Sequence, residues 1–120
     1  MDDRDNRAKG RAYEDKAAEF LTGHGFLILE RNYLRKTGEI DIIARDADGT
    51  TVFVEVKYRK SAKKGQPYEA VTAGKQQKIY RTAQWYLKEK GLPFTTRCRF
   101  DVVSILNTDV TLIKNAFGGL

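Results

Sequence analysis

Two neighbouring segments of the chain alternate between apolar and polar residues, which predicts a pair of β-strands. In residues 38–45 and 52–59, β-branched and other apolar residues crowd the even positions, and successive side chains of a strand point to opposite faces of a sheet. We therefore expect one shared buried face, made of Ile40, Ile42, Ala44, Val52, Val54, Val56 and Tyr58. The opposite face then carries four ionisable side chains, Glu39, Asp41, Glu55 and Lys57.

The short segment between these strands fixes which residues face each other. A three-residue loop, Ala47-Asp48-Gly49, with Gly49 in the left-handed conformation, sets Asp41 opposite Glu55. A two-residue loop would pair Asp41 with Val56 and send one apolar set to the wrong face of the sheet. The sequence therefore predicts a hairpin closed by the three-residue loop.

The remaining pattern predicts two helices and three further strands. We expect a helix over about 5–21, a strand over 26–34, a helix from a Thr72 cap to about Lys90, and strands over 96–106 and 109–114. This order gives an α/β fold with a mixed sheet, in which a right-handed helical crossover joins the third strand to the fourth. The hairpin should lie near the sheet centre, with its acidic face in a cleft between the sheet and the first helix.

The opposed carboxylates of Asp41 and Glu55 would repel each other by about 4 kcal/mol at 4 Å and an effective dielectric near 20. A cation between them is therefore expected. In the same register Glu39 faces Lys57. Oxygen ligands with a lysine nearby suit a hard divalent ion such as Mg²⁺ or Mn²⁺.

Composition indicates a single domain over residues 1–120 and argues against zinc or thiol chemistry. The chain is 41% apolar and 32% charged, and has no apolar run long enough to cross a membrane. It has one cysteine, Cys98, and one histidine, His24, too few for the usual zinc ligand sets. We expect the Cys98 thiol to be packed in a strand and His24 to lie at the end of the first helix. The lack of an N-terminal apolar signal region favours the cytoplasm.

The formal net charge of +6 is less informative than the position of the basic residues. They cluster after the second strand of the hairpin and at the start of the second predicted helix, which favours contact with a phosphodiester backbone. A solvated lysine-rich loop is the alternative interpretation. The candidate nucleic-acid-binding residues are Arg59, Lys60, Lys63, Lys64, Lys75 and Lys78.

Asp41 followed by Glu55-Val56-Lys57 resembles the D…(D/E)xK signature of the restriction-endonuclease-like nuclease superfamily. Within it, the chain is similar to the YraN-like family of small, largely uncharacterised bacterial proteins, through segments 10–14, 38–41, 53–57, 99–103 and 115–117. The resemblance spans nearly the whole chain. It implies a restriction-endonuclease-like fold, a mixed central sheet flanked by helices in the order α-β-β-β-α-β-β.

The resemblance also adds candidate site residues. It implies that Glu14 joins the metal site, whereas spacing alone favours a surface glutamate. It places a lysine at position 75, and Gln76 fits a Q-x-x-x-Y pattern of some related nucleases. Asp101 could steady Lys57, but a structural salt bridge is the favoured role.

These residues together predict metal-assisted hydrolysis of a phosphodiester bond, with DNA as the expected substrate and branched or damaged DNA suggested by analogy. Asp41 and Glu55 would hold the ion, with the carbonyl of Val56 as a third ligand. Lys57 could position or deprotonate the attacking water, although the nearby carboxylates favour its charged form and hence electrostatic stabilisation. The alternative is a binding module for nucleic acid or a partner that does not cut. Small junction-cutting relatives act as dimers, so a homodimer is also expected.

Overall fold

The computed structural model describes the backbone of residues 3–118 and the side chains of residues 9–118. The element order α-β-β-β-α-β-β is confirmed. Two short 3₁₀ turns, Ala62–Lys64 and Pro67–Ala70, were not predicted. The helices and strands are α1 (Asp3–Gly23), β1 (Leu27–Arg35), β2 (Gly38–Arg45), β3 (Thr51–Arg59), α2 (Ala73–Glu89), β4 (Cys98–Leu106) and β5 (Asp109–Ile113).

The five strands form one mixed sheet in the order β1-β2-β3-β4-β5. All neighbours are antiparallel except β3 and β4, which run parallel from the pair Thr51–Cys98 to the pair Arg59–Leu106. The chain crosses between these two strands through α2, which Thr72 caps by accepting a hydrogen bond from the Lys75 amide. The hairpin therefore supplies the central strand, β3, as predicted.

Both faces of the sheet are buried, each under one helix. On the α2 face, Phe53 packs with Tyr86 and Phe100 in an aromatic cluster. On the α1 face, Leu21 and Val54 belong to a second apolar cluster. The prediction of a single apolar face was wrong, because the odd positions of the hairpin also carry buried apolar residues. Within residues 3–118 no helix has the length and apolar character needed to cross a membrane.

The hairpin loop has the predicted register. Ile42 pairs with Val54 and Arg45 with Thr51, and Gly49 has a φ of 89°. The ladder between β2 and β3 stops at the Ile42–Val54 pair, so the predicted opposition of Asp41 and Glu55 is not part of it. The two strands therefore separate at the end that carries the ionisable residues.

The apolar alternation of β2 breaks at Asp41. Ile40 packs in the α2 cluster, whereas Ile42 and Ala44 pack in the α1 cluster, so the prediction that the three share a face was wrong. Asn32 of β1 lies between the pairs Arg31–Ile42 and Tyr33–Ile40 and has a φ of 52°. A left-handed residue within a strand disturbs the pleat locally and re-aims the side chains around it. Asp41 lies at this irregular point.

Candidate functional site

Three carboxylates converge where β2 and β3 separate. Glu14 comes from α1, and Glu39 and Asp41 come from β2; one oxygen of each lies within 4.8 Å of the others. The amide of Asn32 donates hydrogen bonds to Glu14 at 2.5 Å and to Glu39 at 3.4 Å. Neutral donors of this kind orient carboxylates but do not cancel their mutual repulsion. The cluster can therefore accept a cation.

Asp41 is held by the backbone of the neighbouring strand. The Val56 amide donates to its Oδ2 at 2.8 Å, in the gap that the ladder leaves open. Burial raises the pKa of Asp41 to about 6; the Val56 hydrogen bond and the charge of Lys57 oppose this, while Glu14 and Glu39 add to it. A positive ion in the cluster would favour the ionised form.

Glu55 is the buried acid of the site, and one of its oxygens lacks a hydrogen bond within residues 9–118. The residue is only 8% exposed, and the oxygen that finds no hydrogen-bond partner in that part of the chain is its buried Oε1. Burial and, to a smaller extent, the charge of Asp41 raise the pKa of Glu55 to about 8, against the opposing effects of Lys57 and of the Asp41 backbone amide. Without a cation this carboxyl is mainly protonated at neutral pH. Buried polar atoms are rarely left unpaired, so the donor set fits a divalent ion.

The structure thus changes the predicted ligand geometry. Asp41 and Glu55 influence each other electrostatically, but Glu55 is not part of the group whose oxygens lie within 4.8 Å. Asp41 converges instead with Glu14 and Glu39. The cause is the irregular strand at Asp41, which regular alternation does not include. The role of the Val56 carbonyl as a ligand stays a prediction.

A depression of about 190 Å³ lies beside the acidic cluster, between β2, β3 and α2. The predicted cleft between the sheet and α1 is correct for Glu39 and Asp41, which converge with Glu14 of α1. It is wrong for Glu55 and Lys57, which line this depression beside α2. Among residues 9–118 the ion pairs do not include Lys57. The depression is lined by Gly38, Glu39, Glu55, Lys57, Lys75, Lys78 and Ile79.

The candidate nucleic-acid-binding residues divide into two groups. Lys75 and Lys78 line the depression that contains Glu55 and Lys57. The other four, Arg59, Lys60, Lys63 and Lys64, line a separate surface depression of about 280 Å³ after β3. Within that loop Arg59 donates to the Lys64 carbonyl at 2.8 Å. The first group is placed to contact a ligand at the acidic cluster, and the second lies outside that depression.

Two predicted accessory residues have structural partners elsewhere. Gln76 donates from Nε2 to the Val71 carbonyl at 3.1 Å. Asp101 is fully buried. It accepts hydrogen bonds from the Arg99 side chain at 2.9 Å and from the backbone N–H of Asn115 at 2.9 Å, as the salt-bridge alternative predicts. Neither residue lines the depression of the acidic cluster.

Asn32 is a site residue that the sequence analysis missed. It holds Glu14 and Glu39 through its amide and carries the left-handed backbone that disturbs β1. Asparagine is depleted in strands and enriched in left-handed conformations. An asparagine inside a predicted strand was therefore the available signal.

Comparisons with known proteins give a consistent family assignment. The model of the family described as "Uncharacterised protein family UPF0102" matches residues 13–105. A UPF0102 protein of Lachnoclostridium phytofermentans is 50% identical over 92% of this chain and 93% of its own length. UPF0102 proteins of Persephonella marina and Chromohalobacter salexigens are 47% and 42% identical, with 91% and 94% of this chain covered and 92% and 93% of theirs.

Among solved structures, a chain titled "Structure of EndoMS-dsDNA2 complex" aligns with a TM-score of 0.32 and 21% identity. The alignment covers 72% of this chain and 43% of that chain. The family match rests on sequence over most of the chain. This protein belongs to the uncharacterised family UPF0102.

Proposed function

We propose that this protein is a metal-dependent endonuclease that hydrolyses phosphodiester bonds in nucleic acid, with DNA as the preferred substrate. The observation that carries the proposal is the buried, unpaired Oε1 of Glu55 beside the three converging carboxylates of Glu14, Glu39 and Asp41. Perturbed acids in a depression that also holds lysines are typical of a catalytic site.

Mg²⁺ or Mn²⁺ is the proposed cofactor, because every candidate ligand is an oxygen atom of a carboxylate or a backbone carbonyl. Asp41, Glu14 and Glu39 would hold the ion, and Glu55 would lose its proton on binding. Such an ion polarises the scissile phosphate and favours ionisation of the attacking water.

The lysines of the depression would act on the phosphate. Lys57 lines the same depression as Glu55, so its ammonium can stabilise the negative charge that develops on the phosphate in the transition state. Lys75 and Lys78, from the start of α2, would bind the neighbouring phosphates and hold the strand in place. Because an ammonium binds any phosphate, this arrangement by itself does not select a sequence.

A nucleic-acid-binding module that does not cut is the second candidate. The basic group Arg59, Lys60, Lys63 and Lys64 favours it, because these residues lie outside the acidic depression and could bind phosphates without a metal ion. Pairing of two chains would extend such a surface and also stays a prediction.

A cleavage assay distinguishes the two candidates. Purified protein with Mg²⁺ or Mn²⁺ is offered linear, nicked, flapped and four-way DNA and a structured RNA. Asp41→Asn and Lys57→Ala test the site. Asp109→Asn and Lys16→Ala are matched controls, since Asp109 and Lys16 are exposed and lie outside the acidic depression.

We expect metal-dependent cleavage by the wild type and both controls, with at least about a hundredfold loss in Asp41→Asn. If every substrate stays intact with both metals while salt-sensitive binding persists, the endonuclease proposal is refuted and the binding module is supported. Cleavage that survives Asp41→Asn and Lys57→Ala would place the chemistry elsewhere.

A further inference from the structure

The exposed face of α2 carries a second depression that the proposed reaction does not use. Trp85 is 44% exposed and Phe94, in the segment after α2, is 69% exposed. Both line a depression of about 240 Å³ together with Thr37, Arg81, Gln84 and Lys88. This volume lies below the range typical of drug-sized ligands, so it suits a single flat ring system.

The charge around the two aromatic rings is positive. Arg81 and Lys88 line the depression, and within the described residues 9–118 no carboxylate does. The ammonium of Lys88 lies 5.2 Å from the centre of the Trp85 ring. Flat apolar rings flanked by cations match a ligand that combines an aromatic face with negative charge, as a nucleotide does.

The aromatic depression is a direct neighbour of the acidic one. Thr37 lines the first and the next residue, Gly38, lines the second. The Thr37 hydroxyl lies 2.8 Å from that of Thr82 on α2. A Cβ on Gly38 would lie 3.3 Å from the same Thr82 hydroxyl oxygen and 3.4 Å from the Lys78 Cβ. The start of β2 therefore lies against α2 between the two depressions.

The helix itself aligns the two depressions. Lys78, Arg81, Trp85 and Lys88 are three or four residues apart, so their side chains follow one face of α2. Lys78 to Trp85 spans about 10 Å along the helix axis at 1.5 Å per residue. A strand whose phosphates contact Lys78 and Arg81 could thus place a base at Trp85.

We propose that Trp85 and Phe94 stack on an unpaired base of a single-stranded segment whose backbone passes Arg81 and Lys78 toward the acidic cluster. This inference rests on the proposed function and narrows its substrate to nucleic acid with an unpaired strand. Bases of an intact duplex are stacked on each other, so only an unpaired base presents a free face to an aromatic side chain.

Trp85 is the only tryptophan of the chain, so its fluorescence reports on this depression alone. The test titrates the wild type, with chelator and no divalent ion, using a thymidine oligonucleotide of about twelve nucleotides, within the range of known single-strand sites. An abasic oligonucleotide of equal length and charge, and a blunt duplex, are the comparisons. We expect quenching by the thymidine strand and binding at least about fivefold weaker for the abasic strand.

Two variants separate stacking from charge. Phe94→Ala keeps the tryptophan reporter, and Phe94 is exposed enough for the fold to tolerate its loss. It should weaken binding of the thymidine strand about fivefold and leave the abasic strand unchanged. Leu27→Ala is the matched control, because Leu27 is 58% exposed at the start of β1 and lies outside both depressions. It should bind both strands as the wild type does.

Equal affinity for the thymidine and abasic strands, or binding without a change in Trp85 fluorescence, would overturn the inference. A blue shift with phosphatidylglycerol vesicles but no response to the thymidine strand would assign the depression to a membrane surface and overturn it as well. The proposed function fails separately. Base-dependent quenching with no metal-dependent cleavage would refute the nuclease alone, and cleavage without base-dependent quenching would refute the stacking site alone.

Discussion

Carboxylates that are buried or partly buried lie near both ends of the β2–β3 hairpin, and their surroundings are opposite. At the loop end, Arg99 binds Asp46 at 2.8 Å and Asp101 at 2.9 Å. At the open end, Asp41 accepts one backbone amide and Glu55 keeps an unpaired oxygen. Arginine satisfies the first group, whereas no cationic side chain forms an ion pair with the second among residues 9–118.

The pKa values follow this difference. Burial works to raise the pKa of Asp46, but hydrogen bonds from Arg99 and Ala47 outweigh it and the pKa lies below its usual range. For Asp41 and Glu55, burial dominates and the pKa values rise to about 6 and about 8. The carboxylates paired with Arg99 stabilise the fold, whereas the acids whose pKa values are raised by burial are candidates for binding a cation.

The strongest way to test this contrast is the pH dependence of stability without metal. Glu55 keeps its proton up to about pH 8 when folded but loses it near 4.5, its ordinary value, when unfolded. The folded state therefore binds the extra proton between these values, and stability must fall as the pH rises through them. At about 1.4 kcal/mol per pKa unit, the free energy of unfolding should fall by up to about 5 kcal/mol.

Urea denaturation at a series of pH values measures this fall. Glu55→Gln should remove the fall above about pH 6 and be more stable than the wild type at pH 8, because it cannot ionise; the part of the fall below pH 6 that comes from Asp41 should remain. Glu19→Gln is the control, since Glu19 is exposed on α1. A wild-type profile that rises from pH 5 to pH 8 would show that Glu55 is ionised in the folded protein.

At the loop end, Arg99→Ala should destabilise the protein by about 3–5 kcal/mol, because it leaves the fully buried Asp101 without its cation. Urea denaturation at neutral pH measures the loss. The control is Arg97→Ala, whose side chain is exposed and 3.7 Å from Asp48; little change is expected there. Equal effects of the two substitutions would remove the distinction between the two ends.

Divalent ions should stabilise the open end only. At a hundredfold excess over its dissociation constant, Mn²⁺ should add about 2.7 kcal/mol to the free energy of unfolding of the wild type. Asp41→Asn should lose this gain and Asp109→Asn should keep it. Thermal denaturation with and without Mn²⁺ measures both. A full gain in Asp41→Asn would move the ion away from the acidic cluster.

The smallest effect is expected at Asn32, where backbone and amide can be separated. Asn32→Gly removes the amide but accepts the φ of 52°, so only the affinity for Mn²⁺ should fall, about tenfold. Asn32→Ala should lose a further 1 kcal/mol or so of stability, because a Cβ strains that conformation. Calorimetric titration and urea denaturation measure the two effects.

Asn107 supplies the control pair. It has a φ of 57° in the turn between β4 and β5, away from the acidic depression. Asn107→Ala should show the same strain relative to Asn107→Gly, with unchanged affinity for Mn²⁺. A loss of ion affinity at Asn107 would mean that Asn32 acts only through general stability.

The elements and the hairpin register could be predicted from the sequence because they depend on local signals. Gly49 sets the loop, Thr72 caps α2, and the β-branched runs mark the strands. The arrangement of the acids could not be predicted, because it depends on Asn32, whose left-handed backbone acts across a neighbouring strand. Period-two alternation assumes a regular strand, so it placed Ile40 on the wrong face.

The alternating pattern also could not predict that both faces of the sheet are buried. Ile43 and Phe53 occupy odd positions and fill the α2 cluster, and this is why Glu55 and Lys57 face α2 rather than α1. The apolar residues at odd positions, Ile43 in β2 and Phe53 in β3, were the available sign that a second helix covers that face. The acidic residue types could be identified from the sequence, but their distances depend on packing between distant segments.

The parallel pairing of β3 and β4 also determines when, during synthesis and folding, the acidic cluster can form. Every residue of β3 pairs with the residue 47 positions later, Thr51 with Cys98 and Arg59 with Leu106. Closing so long a loop costs conformational entropy before any pairing compensates for it. A chain still emerging from the ribosome therefore contains Asp41 and the segment Glu55-Val56-Lys57 long before β4 is available to bury Glu55. A fragment that ends before Cys98 should bind no divalent ion.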